Sequence, residues 1–170
     1  MATSTLIQKL DGTAFESSKT VPGSYTAVTT PDVSNRRQIE TFIAGATVVV
    51  GDWLQFDTSA TGANRVLTVI QAATNGSGNP LVVGVCLGSA ESDGSLTLGS
   101  KINVVVAGYA EGVNVATAVN AAGIPLAVSA TAGRAQATIL PAAVGSGGVC
   151  GVSLEAAAAN KCDVWVYKQF

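Results

Sequence analysis

The sequence predicts an all-β fold: a compact β-barrel or sandwich built from two related β-units and carrying an extended N-terminal arm. Three observations lead there. Short runs rich in Val, Ile, Thr and aromatic residues alternate with clusters of Gly, Asn, Asp and Ser, as strands joined by tight turns do. Helical periodicity is almost missing, and Glu155–Asn160 is the best helical stretch. One pattern also occurs twice. Gly84-Val-Cys-Leu-Gly-Ser-Ala90 lines up with Gly151-Val-Ser-Leu-Glu-Ala-Ala157, and Lys101-Ile-Asn-Val-Val-Val106 with Lys161-Cys-Asp-Val-Trp-Val166. Gly51-Asp-Trp-Leu precedes the first copy as Gly123-Ile-Pro-Leu precedes the second. An internal repeat constrains the fold more than any local propensity. It places the two units at about 51–109 and 123–167.

The chain has 170 residues, enough for one domain with a real core. Its hydrophobic share is 48% and its charged share only 12%, which suits a surface largely covered by neighbours. There is no histidine, which removes Ser–His–Asp and Cys–His catalysis and the usual zinc sites. Cys86, Cys150 and Cys162 are odd in number and lack CxxC spacing, so they read as small buried hydrophobes. Met1–Asp11 has no apolar run of signal-peptide length. Arg36-Arg37 ahead of Phe42–Val50 imitates a twin-arginine signal, but Glu40 interrupts it and Asp52 ends it early. No stretch approaches the roughly 18 apolar residues of a membrane helix.

The two expected domains are 1–38, the arm, and 39–170, the β-barrel. The arm is polar, rich in Ser and Thr, and punctuated by Pro22-Gly23 and Thr30-Pro31-Asp32. Its apolar residues have no sustained period, so it orders only against a partner or stays a tail. Thr47–Asp57 reads as β structure with a turn or bulge at Gly51-Asp52; beyond it Trp53 and Gln55 point one way, Leu54 and Phe56 the other. Thr58–Asn64 is a turn, Arg65–Ile70 a strand, and Ala72–Pro80 a loop holding the Asn75-Gly-Ser77 sequon. Leu81–Leu87 and Lys101–Ala107 are strands, with Gly108-Tyr109 closing the first unit. Val113–Val119 fits a strand or a short Ala-rich helix. A strand from Ala122 to Ser129, a turn at Ala130–Arg134 and a return over Ala135–Leu140 lead into the second copy.

Candidate chemistry is sparse. Gly94–Lys101 fails as a phosphate loop because Ser100 separates Gly99 from Lys101 and no helix follows. Asp52 and Asp57 fall on opposite faces of a regular strand. Glu91 and Asp93 are too few oxygens for calcium. The four arginines, Arg36, Arg37, Arg65 and Arg134, do not form a basic stripe for nucleic acid. A hydrolase would need Lys101 or Lys161 to converge with a serine. The expectation is therefore no enzyme, no cofactor, no metal, no nucleic acid and no membrane partner.

Residues from about Gly45 to Tyr167 resemble the small capsid decoration, or cement, proteins of tailed bacteriophages. The resemblance rests on Gly51-Asp-Trp-Leu, Gly84-Val-Cys-Leu, Gly151-Val-Ser-Leu-Glu-Ala-Ala-Ala-Ala, and Ala122-Gly-Ile-Pro-Leu with Thr131-Ala-Gly-Arg134. It implies a β-barrel subunit on the outer surface of the phage head that stabilises the major capsid protein lattice, often as a homotrimer, with a dimer the alternative, and an N-terminal arm on that protein. The long first segment and the Glu91–Gly99 loop depart from the shortest family members. The expected capsid contacts are Val21, Pro22, Tyr25, Thr30, Pro31, Arg36 and Arg37. The expected subunit contacts are Trp165, Tyr167 and Phe170, with core packing the other reading of Trp165. The alternative from another class is a tail- or surface-associated β-module that binds a receptor or glycan.

Overall fold

The computed structural model describes residues 37–73, 79–116, 119–138 and 148–168. The chain divides into residues 1–37 and 38–170, and the architecture below is that of the larger part. Its strands are β1 (Arg37–Ala44), β2 (Trp53–Phe56), β3 (Thr68–Gln71), β4 (Val82–Ser89), β5 (Lys101–Asn114), β6 (Pro125–Val128), β7 (Ala135–Ala137), β8 (Gly151–Ser153) and β9 (Lys161–Val166). They hydrogen-bond in the order β1-β3-β2-β4-β5-β9-β8-β6-β7, and an additional β1–β5 pairing closes the first five into a barrel. The fold is all-β, as the alternation of strand and turn residues requires.

The sequence repeat is a repeat of pairing register. Trp53 pairs with Val85 and Leu54 with Gly84; at the aligned positions Pro125 pairs with Val152 and Leu126 with Gly151. Val85 faces Val105 and Cys86 faces Val104, just as Val152 faces Trp165 and Ser153 faces Val164. Phe56 and Val69 correspond likewise to Val128 and Ala135. Glycine is required at one point in each copy, because the next strand's backbone passes too close for a side chain. A Cβ on Gly84 would lie 2.1 Å from the Val105 carbonyl oxygen, and one on Gly151 would lie 2.6 Å from that of Trp165, the aligned residue.

The second unit has no separate counterpart of β1; the far end of β5 takes that place. Ala44 pairs in parallel with Val69, and its N–H donates to the Ser100 carbonyl at 2.9 Å. Val115 bridges Ala135 in parallel, and its N–H donates to the Asn160 carbonyl at 2.9 Å. Gly45 N–H then reaches the Val69 carbonyl at 2.8 Å, as Ala116 N–H reaches that of Ala135 at 2.7 Å. A second, smaller ring of β5, β7, β6, β8 and β9 thus follows the barrel, and β5 serves both. Positive φ at Gly108 (91°) and Gly112 (60°) lets the strand change sides, so that Ile102, Val104 and Val106 line the barrel while Ala110 and Val113 join the second core.

Each ring has its own core. The barrel holds Phe42, Ala44, Val48, Leu54, Val69, Val83, Cys86, Ile102, Val104 and Val106. Their counterparts in the second ring include Val113 for Phe42, Ala135 for Val69, Cys150 for Val83 and Cys162 for Ile102, each a smaller side chain. Such losses would leave voids, which protein interiors do not tolerate. Trp53, fully buried, packs with this second cluster, and a Cβ on Gly151 would lie 3.0 Å from its Cη2. A residue of the first unit therefore fills the second. Buried Asp52 ties the junction, accepting from Val49 N–H at 2.9 Å, Gln71 Nε2 at 2.6 Å and Asn114 Nδ2 at 2.8 Å.

Several local expectations need correction. Thr47–Val50 is loop, and only Trp53–Phe56 is strand. Arg65 and Val66 belong to a 3₁₀ turn, Gly62–Val66, and the strand starts at Thr68. The Arg65 Nε donates to the Ala60 carbonyl at 2.9 Å, which holds that turn and outweighs the β-branched pattern. Gly108-Tyr109 does not end a unit, because β5 continues to Asn114. Glu155–Asn160 forms no helix, since Ala158 is paired with Lys161 in an isolated bridge. For Val113–Val119 the strand reading holds through the Val115 bridge; residues 117–118, the sequon at 75–77 and residues 139–147 lie outside the described residues.

Truncating the side chain that fills the second ring is expected to be costly. Trp53→Ala should destabilise the protein by about 3–5 kcal/mol in urea titration, the usual range for a buried aromatic. Its indole N–H finds no acceptor among the described residues. Trp53→Phe should therefore cost markedly less, because it removes that unpaired donor while keeping most of the volume.

Candidate functional site

The outer faces of the two units are aligned residue by residue but differ in cover. In the first unit the outward positions are Trp53, Val85 and Val105, at 0%, 2% and 0% exposure, with Leu87 packed against the same cluster. The second unit packs on them. The aligned positions in the second unit are Pro125, Val152, Trp165 and Leu154, followed by Tyr167 where the first unit has Ala107. Trp165 is 38% exposed, Tyr167 42% and Leu154 43%.

Register makes these residues one surface. Pro125 pairs with Val152, Val152 with Trp165, and Trp165 with Tyr109 of β5, so a single apolar row crosses four strands. Alternation along β9 sends Cys162, Val164 and Val166 inward and leaves Trp165 outside. That corrects the core-packing reading of Trp165. Such a contiguous apolar row is unlike scattered surface hydrophobes. Tyr167, the residue after β9, extends the surface beyond the strand's end.

One edge of the row is fixed by a polar network. Tyr109 Oη donates to Asp163 Oδ2 at 2.6 Å, and Gly112 N–H donates to Asp163 Oδ1 at 3.0 Å. Asp163 N–H in turn donates to Glu155 Oε1 at 3.1 Å. The hydrogen bond to Asp163 is the main reason the Tyr109 phenol is pushed up to about 12, with burial and the nearby carboxylates adding to it. Tyr109 is thus a neutral donor held in one orientation, and it stiffens the surface beside Trp165.

The other candidate groups are placed as parts of the scaffold. Glu91 and Asp93 accept from their own loop, from Lys101 N–H at 3.4 Å and Ser95 N–H at 2.9 Å. Lys101 and Lys161 are exposed at the starts of β5 and β9. Among the described residues no group of three or more Cys, Asp or Glu converges as a metal site requires. The three thiols are free and buried. Burial pushes Cys86 and Cys162 up to about 11 and Cys150 up to about 12. Arg37 is half-buried at the start of β1. Val21, Pro22, Tyr25, Thr30, Pro31, Arg36 and Phe170 lie outside the described residues.

The sequence indicated Trp165 and Tyr167 but missed Tyr109, Val152, Leu154 and Pro125. The signal was available in the repeat, since each aligns with, or pairs beside, a residue of the first unit's covered face. No protein-family model matches the chain, and no curated protein sequence matches it.

Two measurements check these assignments. Thiol titration with an aromatic disulfide at pH 8 should label none of the three cysteines in the folded protein and all of them in denaturant. Asp163→Asn should bring the Tyr109 ionisation, followed by ultraviolet absorbance, back from about 12 towards 10. With the folded value raised, the stabilising contribution is complete below pH 10 and fades as pH climbs towards 12, so stability should fall with pH across that window.

Proposed function

We propose that this chain is a structural virion protein that binds the outside of a tailed-phage head and cements the lattice of its major capsid protein. The observation that carries the reading is that the residues of the resemblance are those that build the duplicated barrel. Gly84 and Gly151 stand at the two equivalent close approaches, Trp53 fills the second ring, and Gly133 sits against Asp52 at the junction. The motifs are therefore architectural, and a rigid β-body is what a cement subunit needs.

The division of labour follows from the chemistry. The leading segment, with Val21, Pro22, Tyr25, Thr30, Pro31, Arg36 and Arg37, lies along the shell, where extended chains bind by adding a strand to an exposed sheet edge. Trp165, Tyr167 and Phe170 serve contact between copies, in a homotrimer or a dimer. Many modest contacts repeated over a lattice give lasting attachment through avidity. No catalysis enters this role. Before assembly the protein is in the host cytoplasm, and afterwards on the outer surface of the head.

Purified protein is expected to co-sediment with assembled shells and not with unassembled capsid subunits. Removing the residues before Arg36 should abolish that binding while leaving the far-ultraviolet spectrum of a β-protein. Equal sedimentation of the truncated chain would reject the assignment to the arm, and no binding by the full chain would reject the function.

A further inference from the structure

We infer that the edge of β1 ahead of Ile43, with the backbone groups of Ile39 and Thr41, takes up an extended strand of the shell protein. The inference rests on the proposed function and deepens it, because it gives the barrel itself a contact with the shell. In the sheet β1 has two neighbours, β3 and β5. Backbone groups of successive strand residues point to opposite sides, so alternate residues serve each neighbour. Ile43 N–H donates to the Leu67 carbonyl and Gly45 N–H to the Val69 carbonyl, both at 2.8 Å, so odd-numbered residues face β3. Ala44 N–H donates to the Ser100 carbonyl at 2.9 Å, and its own carbonyl accepts from Gly99 N–H at 2.7 Å. Even-numbered residues therefore face β5.

β3 is too short to cover its side of β1. It starts at Thr68, opposite Ile43, while β1 reaches back to Arg37. At about 3.3 Å per residue, roughly 20 Å of β1 has no strand on that side among the described residues. No turn or loop bond among the described residues goes to the N–H or carbonyl of Ile39 or Thr41. Such an unpaired row is a template for another strand, and proteins that leave it unused block it with proline, lysine or a bulge. The strand, Arg37-Gln-Ile-Glu-Thr-Phe-Ile-Ala44, carries neither proline nor lysine. Its Glu40 is held by Gln38 Nε2 at 2.9 Å and Lys168 Nζ at 3.9 Å, on a face of the strand and not along its edge. At the inner end of the open lane stand Val66 and Leu67, 61% and 45% exposed, which suit an apolar residue on the added strand. Backbone bonds then give affinity and those two side chains give preference. Arg37, assigned above to the shell, opens this same strand, so the contact is continuous with the one proposed.

Residue-resolved amide hydrogen exchange of the full chain, free and bound to assembled shells, tests this. In the free chain Ile39 and Thr41 should exchange roughly tenfold faster than Glu40 and Phe42, which face β5. On shells, with exchange quenched at release and read by nuclear magnetic resonance, Ile39 and Thr41 should slow to the rate of those neighbours. Thr41→Pro removes one outward N–H and leaves the β5 side intact, as proline on a strand edge does. It should weaken co-sedimentation with shells roughly tenfold. Thr41→Ala, which equally loses the side-chain bond to Asn103 Oδ1, should bind as the wild type does. Slow exchange of Ile39 and Thr41 in the free chain overturns the inference, since the edge is then already covered by the leading segment or by a second copy. Fast exchange that persists on the shell overturns it too, as does a Thr41→Pro variant that binds normally. A wild-type chain that binds no shell rejects the proposed function and this partner together, whereas shell binding with an open edge rejects this inference alone.

Discussion

The structure depends on one act of packing across the boundary between its two units. Trp53 belongs to the barrel by chain position and to the second ring by contact. The second ring carries smaller residues at four aligned positions, and that indole enters it against Gly151. Volume lost at four aligned positions is offset by side chains from outside, Trp53 the largest of them. The two units are consequently not beads on a string. Their mutual orientation is set by the fit of an aromatic ring, and Asp52, next in the chain, holds the loop, β3 and β5 around it with three accepted hydrogen bonds.

Much of this was legible in the amino-acid order because both copies keep their tight spots. Glycine survives where a neighbouring carbonyl leaves no room, so Gly84 and Gly151 stand out in aligned copies. Alternation in Trp53-Leu-Gln-Phe56 correctly assigns Trp53 to one core and Leu54 and Phe56 to the other. What was not legible is how the copies are joined. Nothing local distinguishes a strand that stops at Gly108 from one that twists there and continues. The glycine that suggests an ending is the residue that permits the change of side.

The surface was harder to read than the core for a related reason. A tryptophan in an alternating β run has the same local pattern whether its face is covered or bare. Only the knowledge that Val105 is buried while its counterpart Trp165 is exposed separates the two. The polar positions tell the same story. Asp163 looks like an ordinary exposed carboxylate in sequence, and its role emerges from a tyrosine 54 residues away and a backbone N–H that turns towards it at Gly112.

The shared strand has a thermodynamic corollary. Because β5 is a wall of both rings, neither can lose it and stay closed. Among the described residues, local opening of the smaller ring is expected at the isolated Val115–Ala135 bridge that seals it. Amide protons there, those of Val115 and Ala116, would exchange with solvent long before those at the centre of β5. Among the described residues, a body joined along one strand thus combines stiffness across its width with a thin seam at that bridge.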